Sequence, residues 1–207
     1  MIARQALEPK KNVVRSLVVS VRRADLDDAH ALARLQDMAN DGHLAAVRWQ
    51  RGGSSWLDVG AQEIASDENE LGFSSTVVAE VNSSVVGMLN YATNDDVRSS
   101  GRPVDRPFFN LRRAIGPGLY LRSMAVEPAF GGRGVASLLL DTAARAARAM
   151  KAEAVGVIVH ERNERLIAHY ISRGYVSVAE EQVVRHHSYP TGTKLVALRL
   201  PLGEHSR

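Results

Sequence analysis

Gly131, Gly132 and Gly134 stand close together between an apolar run and a helix-periodic run, and the chemistry this arrangement can do is anion binding. A glycine-rich turn exposes backbone N–H groups, and a helix starting behind it adds the positive end of its dipole. The residues of such a cradle are Gly131, Gly132, Arg133, Gly134, Val135 and Ala136. No acid occurs between Pro128 and Leu140, so no carboxylate there competes with an incoming anion, and Arg133 adds a positive charge. The order of the glycines excludes two common phosphate sites. A dinucleotide turn needs Gly-x-Gly-x-x-Gly, and a P-loop needs Gly-Lys-Ser/Thr at its end. Glycines also mark ordinary turns, so the flanking elements carry the distinction.

Leu119–Val126 is an apolar run that reads as a strand ending at Glu127-Pro128. From Val135 to Met150, Leu139, Ala143, Ala146 and Met150 recur at the helical period, with Leu138 and Leu140 widening the stripe. Arg148 and Lys151 suit the negative end of that helix. Downstream, Ala154–Val159 reads as a short buried strand. Asn163 is placed to cap a helix whose buried face holds Leu166, Ile167, Tyr170 and Ile171, and Gly174 closes it.

Elsewhere the pattern predicts a strand over Leu17–Arg22, a helix capped by Asp25 and running to about Met38, and a second helix over residues 42–51. A Gly52-Gly53-Ser54-Ser55 break follows, then an acidic run over Asp58–Glu70. Thr76–Val81 and Val85–Tyr91 form a hairpin around Asn82-Ser83-Ser84, and Tyr175–Arg185 and Lys194–Leu200 are late strands around Tyr189-Pro190-Thr191-Gly192. This order suits a mixed α/β fold, a central twisted sheet with helices on its faces.

One segment exceeds the roughly 12–15 residues beyond which structureless loops are uncommon. Asn94–Pro117 carries Arg98, Arg102, Arg106, Arg112 and Arg113 around Phe108-Phe109. Two readings stand side by side: a lid or partner surface that recognises an acidic group, and a solvated insertion without a role. Asp95, Asp96 and Asp105 among the arginines weigh against a nucleic-acid patch.

The whole chain excludes several classes. Its 207 residues suit one domain, and 26 Lys+Arg against 23 Asp+Glu is too mild a balance to imply nucleic acid. With no cysteine there are no disulfides, thiol nucleophiles or cysteine–zinc sites. His186-His187 has no carboxylate pattern beside it, so no metal is expected. Residues 1–16 are a polar extension, a candidate for disorder, without the apolar stretch of a signal peptide. No run approaches membrane-spanning length. The expectation is a cytoplasmic protein without membrane or nucleic-acid partners.

The glycine turn resembles motif A of the GNAT superfamily of N-acetyltransferases, which reads Arg/Gln-x-x-Gly-x-Gly/Ala at a strand–helix junction. Gly134 and Ala136 match its last two places, while Gly131 stands where the family carries Arg or Gln. That departure leaves the backbone cradle intact, since N–H groups do the binding. Met124-Ala125-Val126 resembles the strand end that bonds the pantetheine arm in the family. The stretch Asn163–Tyr175 resembles the family's Asn…Ala-x-x-Tyr…Gly-Phe/Tyr signature, at a fitting distance downstream.

The resemblance implies one GNAT domain over residues 17–203 with the insertion at 94–117: a mostly antiparallel sheet of six to seven strands and about four helices. It also implies acetyl-CoA as cosubstrate, bound by Met124, Ala125, Val126, Gly131, Gly132, Arg133, Gly134, Val135, Ala136 and Asn163. An amine-bearing small molecule or peptide would be acetylated by direct attack, with Tyr170 as general acid. Arg122 and Ser123 occupy the strand where some relatives carry an acidic base, so the base stays open among Glu80, His43, His169 and a water. Edge strands late in the chain are candidates for pairing in a homodimer. Two alternatives come from other classes: an acyl-CoA-binding module without catalysis, and an interaction protein that works through the insertion.

Overall fold

In the computed structural model the described residues are 10–14, 17–40, 42–50, 55–66, 72–98, 101–102, 105–183 and 194–203. The expectations for Tyr189–Gly192 and for His186-His187 fall outside them. The chain divides into two compact units, Met1–Ala92 with Arg122–Ala146, and Thr93–Leu121 with Ala147–Arg207.

The first unit contains β1 (Lys10–Val14), β2 (Leu17–Arg23), α1 (Ala29–Ala39), α2 (His43–Gln50), α3 (Trp56–Ala65), β3 (Thr76–Val81) and β4 (Ser84–Thr93, to Ala92). It also holds the end of β5 (Leu119–Val126) and most of α5 (Val135–Ala149). β1 to β4 pair in sequence, each antiparallel to the last where a register is defined. β1 lies within the stretch expected as a polar extension. Asn82 and Ser83 both have positive φ, as a two-residue hairpin turn of type I′ requires.

Side chains alternate across the sheet. Val78 and Met88 pack with Leu32 and Leu35 of α1 and with Ala61 and Ile64 of α3. Gly87, the neighbour of Met88, faces the other way, and a Cβ there would stand 3.4 Å from Leu139 of α5. Asp25 caps a short 3-10 turn, Leu26–Asp28, before α1 begins. The acidic run expected from Asp58 onward starts as a helix, α3, which Ser55 caps by accepting from the Leu57 N–H at 3.1 Å. Polar groups tie this unit together. Arg22 donates to both carboxylate oxygens of Asp28 at 2.7 and 2.8 Å and to Glu80 at 2.8 Å. Buried Arg48 donates to Glu63 at 2.9 Å.

The second unit holds α4 (Arg106–Ile115), the start of β5, β6 (Ala154–His160), α6 (Glu164–Ile171), β7 (Val176–Gln182) and β8 (Lys194–Pro201). β6 pairs with β8 and β8 with β7, both antiparallel. β5 runs parallel to β6, with Leu119, Tyr120 and Leu121 opposite Val155, Gly156 and Val157. The strand order is β1-β2-β3-β4-β5-β6-β8-β7, eight strands, which is one beyond the expected range because β1 joins the sheet.

The insertion contains a packed helix. Leu111 and Ile115 of α4 are buried with Val183, Leu195 and Ala197. Asn94 donates to the carbonyls of Arg112 and Gly116 at 2.8 and 2.7 Å, closing the end of the helix. Arg199 holds the Ile115 carbonyl at 2.9 Å. A Cβ on Gly156 would come within 2.2 Å of Ile115 Cγ2, so β6 and α4 meet at a position open only to glycine. Arg112 bonds Asn94 Oδ1 at 2.9 Å and lies 4.8 Å over the Tyr120 ring, and Arg98 donates to Asp96 at 2.6 Å. These two arginines of the expected acidic-group surface are therefore engaged with the insertion and its own sheet.

Candidate functional site

β5 leads straight into the glycine turn in the first unit. The Glu127 N–H donates to the Val86 carbonyl at 2.8 Å, which ties the end of β5 to β4. Gly87 permits that approach, since a Cβ there would stand 3.2 Å from the Ala125 carbonyl. Pro128–Phe130 form a 3-10 turn, with the Phe130 N–H on the Glu127 carbonyl at 2.8 Å and the Gly131 N–H on the Pro128 carbonyl at 3.0 Å. Gly132 and Gly134 then adopt positive φ of 67° and 86°, a conformation costly to residues bearing a Cβ.

α5 begins at Val135. The Leu138 N–H reaches the Gly134 carbonyl at 3.0 Å, so the N–H groups of Val135, Ala136 and Ser137 stand ahead of the first i to i−4 bond. No acidic residue lies in that first turn. Val135, Leu138, Leu139, Ala143 and Ala146 are buried, which anchors the helix, while Gly131, Gly132 and Arg133 are exposed. Successive backbone N–H groups at a turn and a helix start form a concavity suited to an anion. All six cradle residues expected from sequence, and Met124, Ala125 and Val126 before them, are thus consecutive parts of one strand–turn–helix piece. The parallel ladder to β6 is registered at Leu119–Leu121, and β5 continues through Arg122–Val126 in the first unit.

Two neighbouring features were not foreseen. Arg34 of α1 makes an ion pair with Glu127, at the head of the turn. The two are 93 positions apart, so only the tertiary fold shows the pair. The Ser123 hydroxyl on β5 is buried with no hydrogen-bond partner among the described residues.

Asn163 and Tyr170 belong to the second unit. Asn163 caps α6, its side chain accepting from the Leu166 N–H at 3.3 Å. Tyr170 is buried, at 2% exposure, with its ring edge-on to Tyr175 at 5.0 Å and 65°. Burial pushes the Tyr170 phenol well above its ordinary value, and Tyr175 and Tyr120 add to the shift. The phenol therefore keeps its proton across the physiological range and can act as a donor. Beside it, burial and the positive charge of Arg173 hold His169 below the usual histidine range, so its ring favours the neutral form. The His169 Nε2 is buried without a hydrogen-bond partner among the described residues.

The remaining base candidates differ in circumstance. Glu80 receives hydrogen bonds from Arg22 and from Ser20, the latter at 3.2 Å. His43 opens α2, and its side chain falls outside the described residues. Among the described residues no group of three or more His, Cys, Asp or Glu could hold a metal ion. No helix among them is long and apolar enough to cross a membrane.

Comparison with solved structures returns the same architecture. A crystal structure of an acetyltransferase shares 21% identity at a TM-score of 0.65, covering 88% of this chain and 99% of its own. The yncA protein of Salmonella typhimurium, solved with its cofactor acetyl-CoA, shares 20% at 0.59, covering 91% and 96%. A ribosomal-protein-alanine N-acetyltransferase from Brucella melitensis shares 21% at 0.59, covering 88% and 99%. At these identities the likeness shows the fold. No curated protein matches the chain. The family model for the acetyltransferase (GNAT) family matches residues 36–175, a span that includes both the glycine turn and the Asn163–Tyr175 signature. The chain belongs to the GNAT acetyltransferase family.

Proposed function

We propose that the protein is an acetyl-CoA-dependent N-acetyltransferase that acts on a primary amine of a small molecule or peptide. The observation that carries this reading is the set of N–H groups of Val135, Ala136 and Ser137 at the start of α5, directly behind the glycine turn, within a chain of this family. The chemistry of these donors fits a diphosphate, since they are uncharged, fixed and aligned with the positive end of a helix.

Acetyl-CoA supplies an acyl group on a thioester, with a thiolate as leaving group. Gly131–Ala136 hold the diphosphate, and backbone groups of Met124, Ala125 and Val126 hold the pantetheine arm along β5. Fixed N–H donors beside a carbonyl also stabilise developing negative charge, an effect worth roughly 10²–10³ per donor. The amine must lose its proton to attack. The base stays open among Glu80 (bonded to Arg22), His43, His169 and a water. Tyr170 holds a proton that the leaving sulfur can take.

The test is calorimetric titration of the full chain with acetyl-CoA, beside Gly134→Glu. Micromolar binding to the wild type, lost in a folded variant, supports the reading. A folded wild type that does not bind acetyl-CoA overturns it. An amine panel followed by thiol release then tests transfer. Tyr170→Phe is expected to lower kcat by about 10²-fold, within the range for general acids, with acetyl-CoA affinity little changed.

A further inference from the structure

We infer that Arg34 is part of the anion site, where it cancels the charge of Glu127 at the head of the glycine turn. The inference rests on the acyl-CoA reading of that turn. Glu127 is the only acid between Arg122 and Leu140. Its backbone is fixed on both sides, by its N–H on Val86 and by its carbonyl on the Phe130 N–H, each at 2.8 Å. A closed turn of this kind keeps its first and last Cα atoms within about 7 Å. Glu127 is therefore anchored at the entry to the segment that presents N–H groups to an anion, and an uncancelled negative charge there would oppose a diphosphate.

Arg34 removes that repulsion by its ion pair with Glu127. The contact is made by Arg34 Nη1 with Glu127 Oε1, and the Arg34 side chain is 44% exposed. Arg34 therefore acts on the ligand by neutralising Glu127. Exposed ion pairs contribute little to folding. The effect of this one is therefore expected in ligand affinity, with thermal stability nearly constant. A lone carboxylate near a diphosphate is expected to weaken binding about three- to tenfold at low salt.

The experiment is calorimetry with CoA on the wild type, Arg34→Ala, Glu127→Gln and the double variant. Arg34→Ala should bind about three- to tenfold more weakly, and adding Glu127→Gln should restore affinity to within about twofold. The gap between wild type and Arg34→Ala should close between about 50 mM and about 500 mM salt, as screening shortens the reach of the carboxylate. A purely structural pair would give a salt-independent gap and no rescue by Glu127→Gln. Unchanged affinity in Arg34→Ala, a failed rescue, or a gap that salt does not move each overturns the inference. Inorganic diphosphate on the same four proteins separates the two readings. A wild type that binds diphosphate but not CoA overturns the acyl-CoA reading, and the Arg34 comparison is then decided on diphosphate. Binding of neither overturns both.

Discussion

The glycine turn of the first unit and the insertion helix of the second show two ways in which charged sequence folds. In the turn, glycines hold positive φ, the N–H groups of Val135, Ala136 and Ser137 stand ahead of the first helical bond, and the local carboxylate is paired with Arg34. In the insertion, five arginines suggest a recognition surface, yet the segment folds on Leu111 and Ile115 against Val183, Leu195 and Ala197. Net charge describes the solvent side of a helix, while a few apolar residues at the helical period decide where it sits. A region's charge is thus a poor guide to its role until the buried face is known.

This contrast can be broken most directly at Leu111. Leu111→Ala should destabilise the fold by about 3 kcal/mol, because the side chain is fully buried and a cavity remains. Acetyl-CoA affinity at room temperature should stay near the wild-type value, and thermal melts beside calorimetry check both. A variant that loses affinity but not stability would make α4 a functional lid.

Gly134→Glu is the mirror experiment. A negative side chain forced into positive φ at the helix start should weaken acetyl-CoA about 100-fold or more, equivalent to about 2.7 kcal/mol. Its melting temperature should fall by less than that of Leu111→Ala, the strained φ costing about 1–2 kcal/mol.

A smaller effect concerns acid. Burial pushes Asp28 upward, but the hydrogen bonds from Arg22 and from the Asp25 backbone outweigh it and hold the carboxyl below its ordinary 3.8. A depressed carboxyl contributes stability above its unfolded value and loses it as pH falls through the folded one. Amide exchange in β2 should therefore quicken below about pH 3.8, and Arg22→Met should flatten that dependence.

The smallest change is expected at the α6 cap. Asn163→Ala removes one exposed side-chain acceptor and should cost about 1 kcal/mol by thermal melt.

Local signals were legible in the sequence. The strand at Leu17–Arg23, the helix from Val135, the Asn163 cap and Gly174 at positive φ each follow from residues a few positions apart. The succession of strand, glycine turn and helix start over residues 119–149 belongs with them, because its parts are contiguous. α3 was missed because Asp58 and Glu63 dominate its composition, while its buried face is built from Gly60, Ala61 and Ile64. α4 was hidden in the same way by Arg106, Arg112 and Arg113, although Phe108, Leu111 and Ile115 keep the helical spacing. The ion pairs of Arg22 with Glu80 and Arg34 with Glu127 join distant segments, so no local pattern announces them.

The contact between Gly156 and Ile115 couples two positions in the history of this chain. A larger residue at 156 is tolerated only after position 115 shrinks, so the two can change only in a permitted order. The same contact limits how the insertion could be shed. Removing residues 94–117 would strip Leu111 and Ile115 from Val183, Leu195 and Ala197 and leave an apolar face on the second unit. A shortened descendant would need polar replacements on that face at the same time, which makes the insertion hard to lose by single mutational steps.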